Sequence, residues 1–235
     1  MLPSITKTGI KTLIGVNLLV ILFCTITDEM PGDSFGEGGL ITLTSVANLL
    51  AIAGLSFLIL LLNRDNQVHF FNVKGSHFFW FLSAVGFVFL ALDEKLKIHE
   101  NTDKLIHRIF NLQETMLTDS IDDFIILLYG IIGLIVIYFY RRDIKLFLNG
   151  KKYFALGFVL FVVTAGIDFL HNIHFVIPGF EVNDPKYFFG WYKVAEESVK
   201  LFAEVAFALG YYSCYTFFLE SQIKEPRNQG VSFHK

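Results

Sequence analysis

Apolar residues run along this chain in long blocks, not in the alternation of a half-buried strand or the narrow stripe of a surface helix. A membrane span needs roughly 20 predominantly apolar residues to cross a hydrocarbon core of about 30 Å. Six blocks meet that length, and they predict helices over residues 10–27, 40–62, 77–97, 121–140, 153–177 and 188–219. The first is the shortest and carries Lys11 near its start. It has no small-residue cleavage site after it, so it reads as a retained helix and not as a signal peptide. Pro3, Pro31, Pro178, Pro185 and Pro226 all fall outside the interiors of these blocks, which suits unbroken helices. The expected fold is therefore all-α: a single polytopic transmembrane bundle over residues 1–235, with about six spans.

Composition agrees. The chain is 54% hydrophobic with 27 phenylalanines, and its mean hydropathy is +0.54. A net charge of −3 gives no electrostatic reason to expect nucleic acid as a partner. Cys24 and Cys214 sit inside apolar runs and suggest no disulfide framework. Lys and Arg gather in the N-terminal tail (Lys7, Lys11), the second connection (Arg64, Lys74), the fourth (Arg141, Arg142, Lys145, Lys151, Lys152) and the C-terminal tail. The first connection has neither residue. By the positive-inside rule both termini are expected to be cytoplasmic, in a plasma or inner membrane.

Against this apolar background three segments stand out. Residues 78–100 end in Asp93, Glu94, His99 and Glu100. Residues 166–174 carry Asp168, His171 and His174, and residues 194–204 carry Glu196, Glu197 and Glu204. At 1.5 Å rise per residue, Asp93, Glu94, Asp168 and Glu204 lie roughly 22–26 Å from the cytoplasmic ends of their helices. His99, Glu100, His174, Glu196 and Glu197 form a second layer at roughly 31–35 Å. Ionisable groups within spans turn inward, toward partners or a water-filled cavity, so the three clusters are expected to meet. Carboxylates gathered without a cation repel one another, and either protons or a metal relieves that.

The D-x-x-H pair Asp168 and His171 shares a helix face, as do His171 and His174. In di-metal helical bundles an i, i+3 acid–His pair serves one site in this way. One such pair is present here, without the second copy those bundles carry. Mixed histidine and carboxylate ligation suits iron, manganese or zinc. The expected ligands are Asp168, His171, His174, Glu204, His99 and Glu100, with Asp93, Glu94 and Glu197 as acid–base groups. The leading expectation is thus a metal-dependent membrane enzyme, oxidoreductase or hydrolase, acting on a lipid-like or other hydrophobic substrate. Two alternatives use the same groups: a proton- or cation-coupled transporter or pH sensor, or a non-catalytic subunit of a membrane complex with a protein partner.

Several residues also have plainer roles to fill. Glu196 with Lys200, and Lys193 with Glu197, are i, i+4 pairs suited to interface salt bridges. Asp122 and Asp123 suit a helix N-terminus. His69, His77, His107 and His234 read as solvated or interfacial, and Trp80, Trp191 and Tyr192 as interfacial anchors. Asp93, Lys97, Glu100, Lys104 and His107 recur at helical steps, so helix 3 is expected to continue outward as a solvated, salt-bridged stripe. Asp119 or Ser120 is a plausible cap for the fourth span, and Pro178 with Gly179 would end the fifth. Gly130, Gly133, Gly157 and Gly166 are candidates for close helix packing.

Overall fold

The computed structural model describes residues 2–36, 38–62, 76–113, 121–141, 147–171 and 184–224; at residues 2–7, 76, 147–149, 169–171 and 222–224 it describes the backbone alone. The described residues form seven helices and no strand: α1 (Leu2–Thr27), α2 (Leu40–Leu62), α3 (Ser76–Leu96), α4 (Ile98–Phe110), α5 (Ile121–Tyr140), α6 (Phe147–His171) and α7 (Pro185–Lys224). Five of them, α1, α2, α5, α6 and α7, are long and apolar enough to cross a membrane. The remaining expected span, α3, is a 21-residue helix whose apolar stretch ends in Asp93, Glu94 and Lys95. This is a helical membrane protein. The expected Asp119 or Ser120 cap, the Pro178–Gly179 stop, His69 and His234 lie outside the described residues.

The 40-residue α7 is the axis of the bundle. It packs most extensively against α6 and then against α2, with α1 beside it, while α3 lies along α2. Two of the candidate glycines explain part of this closeness. A Cβ at Gly157 would sit 3.1 Å from the Phe207 ring, and one at Gly130 would sit 2.6 Å from the Phe161 ring. Gly133 and Gly166 face open space and perform no such role.

Aromatic side chains fill the gap between α3 and α7. Trp80 stacks edge-on against Tyr211 and Phe218, both at 6.0 Å, and Phe87 against Tyr211 at 5.4 Å. Trp80 is thus a core residue and not an interfacial anchor; it is 1% exposed. A second apolar cluster, Ile21, Cys24, Phe35, Ile41, Val194 and Leu201, closes the other end. Many large apolar side chains on α1, α2, α5 and α6 remain on the outside, including Leu19, Phe57, Phe124 and Val162. In water that surface would be a liability; in a bilayer it is the lipid contact.

The connection from α1 to α2 is folded onto α7. Asp28 accepts hydrogen bonds from the Ser34 backbone N–H at 2.8 Å and from the Ser34 hydroxyl. Gly190 lets the loop come close, because a Cβ there would lie 2.1 Å from the Pro31 carbonyl oxygen. Gly32, at φ +88°, completes the turn on the opposite side of that contact.

Helix 3 does not continue outward as one rod. Lys97 adopts the left-handed conformation (φ 55°, ψ 48°), which ends α3 and starts α4 in a new direction. The break is held by Asp93: its Oδ1 accepts the His99 backbone N–H at 2.8 Å. The carboxylate therefore satisfies a donor left free at the start of α4.

Candidate functional site

The predicted acids come together at one end of the bundle, but as distinct constellations. The outermost is the α3–α4 corner, where Asp93 Oδ2 lies 2.8 Å from His99 Nδ1. Asp93 is 5% exposed. The hydrogen bond that the His99 imidazole donates to Asp93 holds it above its ordinary value of 6.5, with attraction to Asp93, Glu100 and Asp122 in the same direction and burial opposing it.

One turn inward, Lys200 of α7 bridges two helices. Its Nζ lies 3.0 Å from Glu94 Oε1 on α3, and 2.9 and 2.7 Å from Glu197 Oε1 and Oε2. The partner assignments expected from i, i+4 spacing are corrected here. Lys200 forms ion pairs with Glu197 and Glu94, with Glu196 within electrostatic reach. Lys193 and Glu196 remain within electrostatic reach of each other.

Deeper still, Glu204 is buried at 7% exposure. Ser45 of α2 donates to its Oε1 at 2.5 Å, and Asn48 of α2 to its Oε2 at 3.2 Å. Asn48 also donates to Asn17 Oδ1 on α1 at 2.8 Å. Asn17 passes the chain on to the Leu13 carbonyl at 2.9 Å. Three helices are joined through one carboxylate, each polar atom matched to another. Lys200 and Glu94 lie within electrostatic reach of Glu204, so this layer continues the one above.

A fourth group forms where α5, α6 and α7 meet. Asp123 and Asp168 are in side-chain hydrogen-bond contact, with Asp122 and Glu196 also within electrostatic reach. Asp122 accepts the Asp123 backbone N–H at 3.0 Å, so it serves the α5 terminus as expected. Asp123 instead turns toward the cluster.

The expected ligand set is accordingly divided. Asp168 stands with Asp123, Glu204 with Ser45 and Asn48, and His99 with Asp93. Glu100 pairs with Lys104 on its own helix at 3.3 Å. Among the described residues no group of three or more His, Cys, Asp and Glu side chains is arranged to hold a metal ion. The backbone of His171 ends α6 one turn beyond Asp168, but its side chain, and all of His174, lie outside the described residues. His107 is not a solvated residue: its Nδ1 lies 2.9 Å from Asp103 Oδ1, with both side chains largely covered.

Asn17, Ser45 and Asn48 escaped the sequence reading, and so did the partners of Tyr211, whose hydroxyl meets Ser83 and Ser56. Uncharged polar residues inside spans give a weaker signal than acids. Asn17 in the first block and Asn48 in the second are nonetheless the kind of side chain that needs a partner in lipid.

No curated protein and no solved structure matches the chain. A family model described as a domain of unknown function (DUF8692) matches residues 12–215, and the chain belongs to that family.

Proposed function

We propose that this protein is a proton- or cation-coupled transporter or a pH sensor, with the carboxylate–histidine–lysine series as its relay. The observation that carries the reading is the succession of ionisable groups at one end of the bundle. His99–Asp93, Glu94–Lys200–Glu197, and Glu204 with Ser45 and Asn48 stand as successive groups, the last two within electrostatic reach of each other. The stretch of α7 from Glu197 to Glu204 alone covers about 10 Å along the helix axis. Ionisable groups aligned inside a bundle are what proton relays are built from. Lys200 supports the same reading, since it supplies internally the positive charge that a metal would otherwise bring to Glu94 and Glu197. The reading takes both termini as cytoplasmic in a plasma or inner membrane, which the Lys and Arg pattern supports, so that the relay faces the extracytoplasmic side.

The test uses the purified protein in sealed liposomes containing a pH-sensitive dye. Wild type is expected to pass protons under an imposed gradient. Glu94→Gln and Glu204→Gln are expected to lose that flux while keeping the wild-type elution profile. Flux that is absent in wild type, or unchanged in both variants, would defeat the proposal.

A second reading is favoured by the meeting of Asp122, Asp123, Asp168 and Glu196 beside the end of α6. Acids of this kind with the D-x-x-H spacing of Asp168 and His171 in the sequence suit iron, manganese or zinc, for a metal-dependent enzyme acting on a lipid-like substrate. Elemental analysis of wild type beside His171→Ala decides it: one or two equivalents of metal, lost in the variant, support the enzyme.

A further inference from the structure

We propose that α4 is an interfacial helix, lying in the headgroup–acyl boundary of the bilayer that holds the bundle, on the side where α3 ends. The helix has three distinct sides. At 100° per residue, His99, Asp103 and His107 fall together, and they are the half-buried side turned to the bundle. Asp103 and Asp122 are within electrostatic reach across to α5. A second side carries Lys104 and Arg108, both exposed. The third carries Leu105 and Ile109, which are 54% and 65% exposed. No residue of α4 is buried. A helix surrounded by water has no use for that third side, and a transmembrane helix would not keep the second. Together they describe a helix at a boundary, its apolar side in acyl chains and its cationic side among headgroups.

The occupant follows from continuity. The apolar side of α4 starts one residue beyond α3, whose last turns expose Leu92 and Leu96 at 48% and 58%. On α5, Phe124, Leu127 and Leu128 are likewise exposed. This is one outward apolar surface, which the left-handed Lys97 breaks between α3 and α4. Lys104 and Arg108 then sit where lipid phosphates lie, and long basic side chains reach to that level.

The experiment places one cysteine at a time at Leu105, Ile109, Lys104 or Arg108 in the full chain. All four side chains are exposed, so the substitutions leave the core intact; the native Cys24 and Cys214 are buried. Each variant carries a thiol-linked fluorophore in vesicles of phosphatidylcholine and phosphatidylglycerol. Quenching by shallow spin-labelled lipid is compared with quenching by aqueous iodide. The lipid-to-iodide ratio is expected to be roughly threefold or more higher at Leu105→Cys and Ile109→Cys than at Lys104→Cys and Arg108→Cys. Equal ratios at the four positions overturn the proposal, whether all are quenched from water or all are shielded from both quenchers, as a covering protein would make them.

Discussion

Replacing Lys200 by methionine keeps an unbranched, flexible side chain, one heavy atom shorter, and removes the ammonium charge with its N–H donors. In the wild type, that ammonium lies 3.0 Å from Glu94 and 2.7 Å from Glu197. Removing one member of a buried ion pair typically costs about 3–5 kcal/mol, because the other charge is left without compensation. The pairing here is partly open: the side chains of Lys200, Glu94 and Glu197 are 26%, 17% and 15% exposed. Screening through that opening lowers the expected loss to about 2–3 kcal/mol. That is roughly 30- to 150-fold in the unfolding equilibrium. The assay is reversible unfolding of the purified protein in mixed micelles, followed by tryptophan fluorescence; Trp80 lies in the core cluster that melting would expose. The same measurement on Lys200→Met combined with Glu94→Gln and Glu197→Gln should recover to within about 1 kcal/mol of wild type, since both uncompensated charges are gone. A single variant within about 0.5 kcal/mol of wild type would mean the bridge carries no weight. A combined variant no better than the single would mean that Lys200 acts through packing and not through charge.

Other positions give independent checks. At the α3–α4 corner, His99 is held above 6.5 in the folded protein, so its contribution is complete below that pH and lost as pH rises through the raised value. Wild type should therefore lose about 1–1.5 kcal/mol relative to His99→Gln between pH 6 and 9, the difference between a charged and a neutral hydrogen bond. A stability difference that does not change with pH would refute the charged latch. At the loop on α7, Gly190→Ala places a methyl group 2.1 Å from the Pro31 carbonyl oxygen, so the loop must lift. The expected cost is about 1–3 kcal/mol. Faster maleimide labelling of Cys24, which is 1% exposed beneath that loop in the same apolar cluster as Phe35, would report the movement. An unchanged labelling rate would show that the loop accommodates the methyl without leaving α7.

How far the sequence could reach is set by the range of each interaction. Burial in lipid is a property of a block of some 20 residues, and the second and fourth predicted spans coincide with α2 and α5 at both ends. The α3–α4 break was not legible, because it depends on a single backbone conformation at Lys97, a residue whose side chain carries no turn preference. Height along a helix could be counted, so the meeting of α3, α6 and α7 acids at one end was foreseeable. Azimuth was not, and azimuth decided the partners: Lys200 turned toward Glu94, more than 100 residues away, instead of along its own helix. The Glu204 constellation needed the relative rotation of α1, α2 and α7, which no local pattern encodes.

The resulting charge distribution bears on function more directly than any single contact. The groups from Asp93 through Glu204 hold four carboxylates against Lys200 and His99. The Asp122, Asp123, Asp168 and Glu196 group adds four more, with Lys200 and Lys193 the cations acting on Glu196. Each unpaired charge held at membrane depth costs about 2.5–3.5 kcal/mol by insertion scales. A bundle that needed these acids only for cohesion would do as well with amides, as the Asn17–Asn48 contact between α1 and α2 shows. Retaining an excess of carboxylates makes sense where the neutralising species comes and goes. A proton does so with pH, and a cation does so with its concentration. Those are the two variables to which flux through this bundle should respond, and to which a purely structural network would be indifferent.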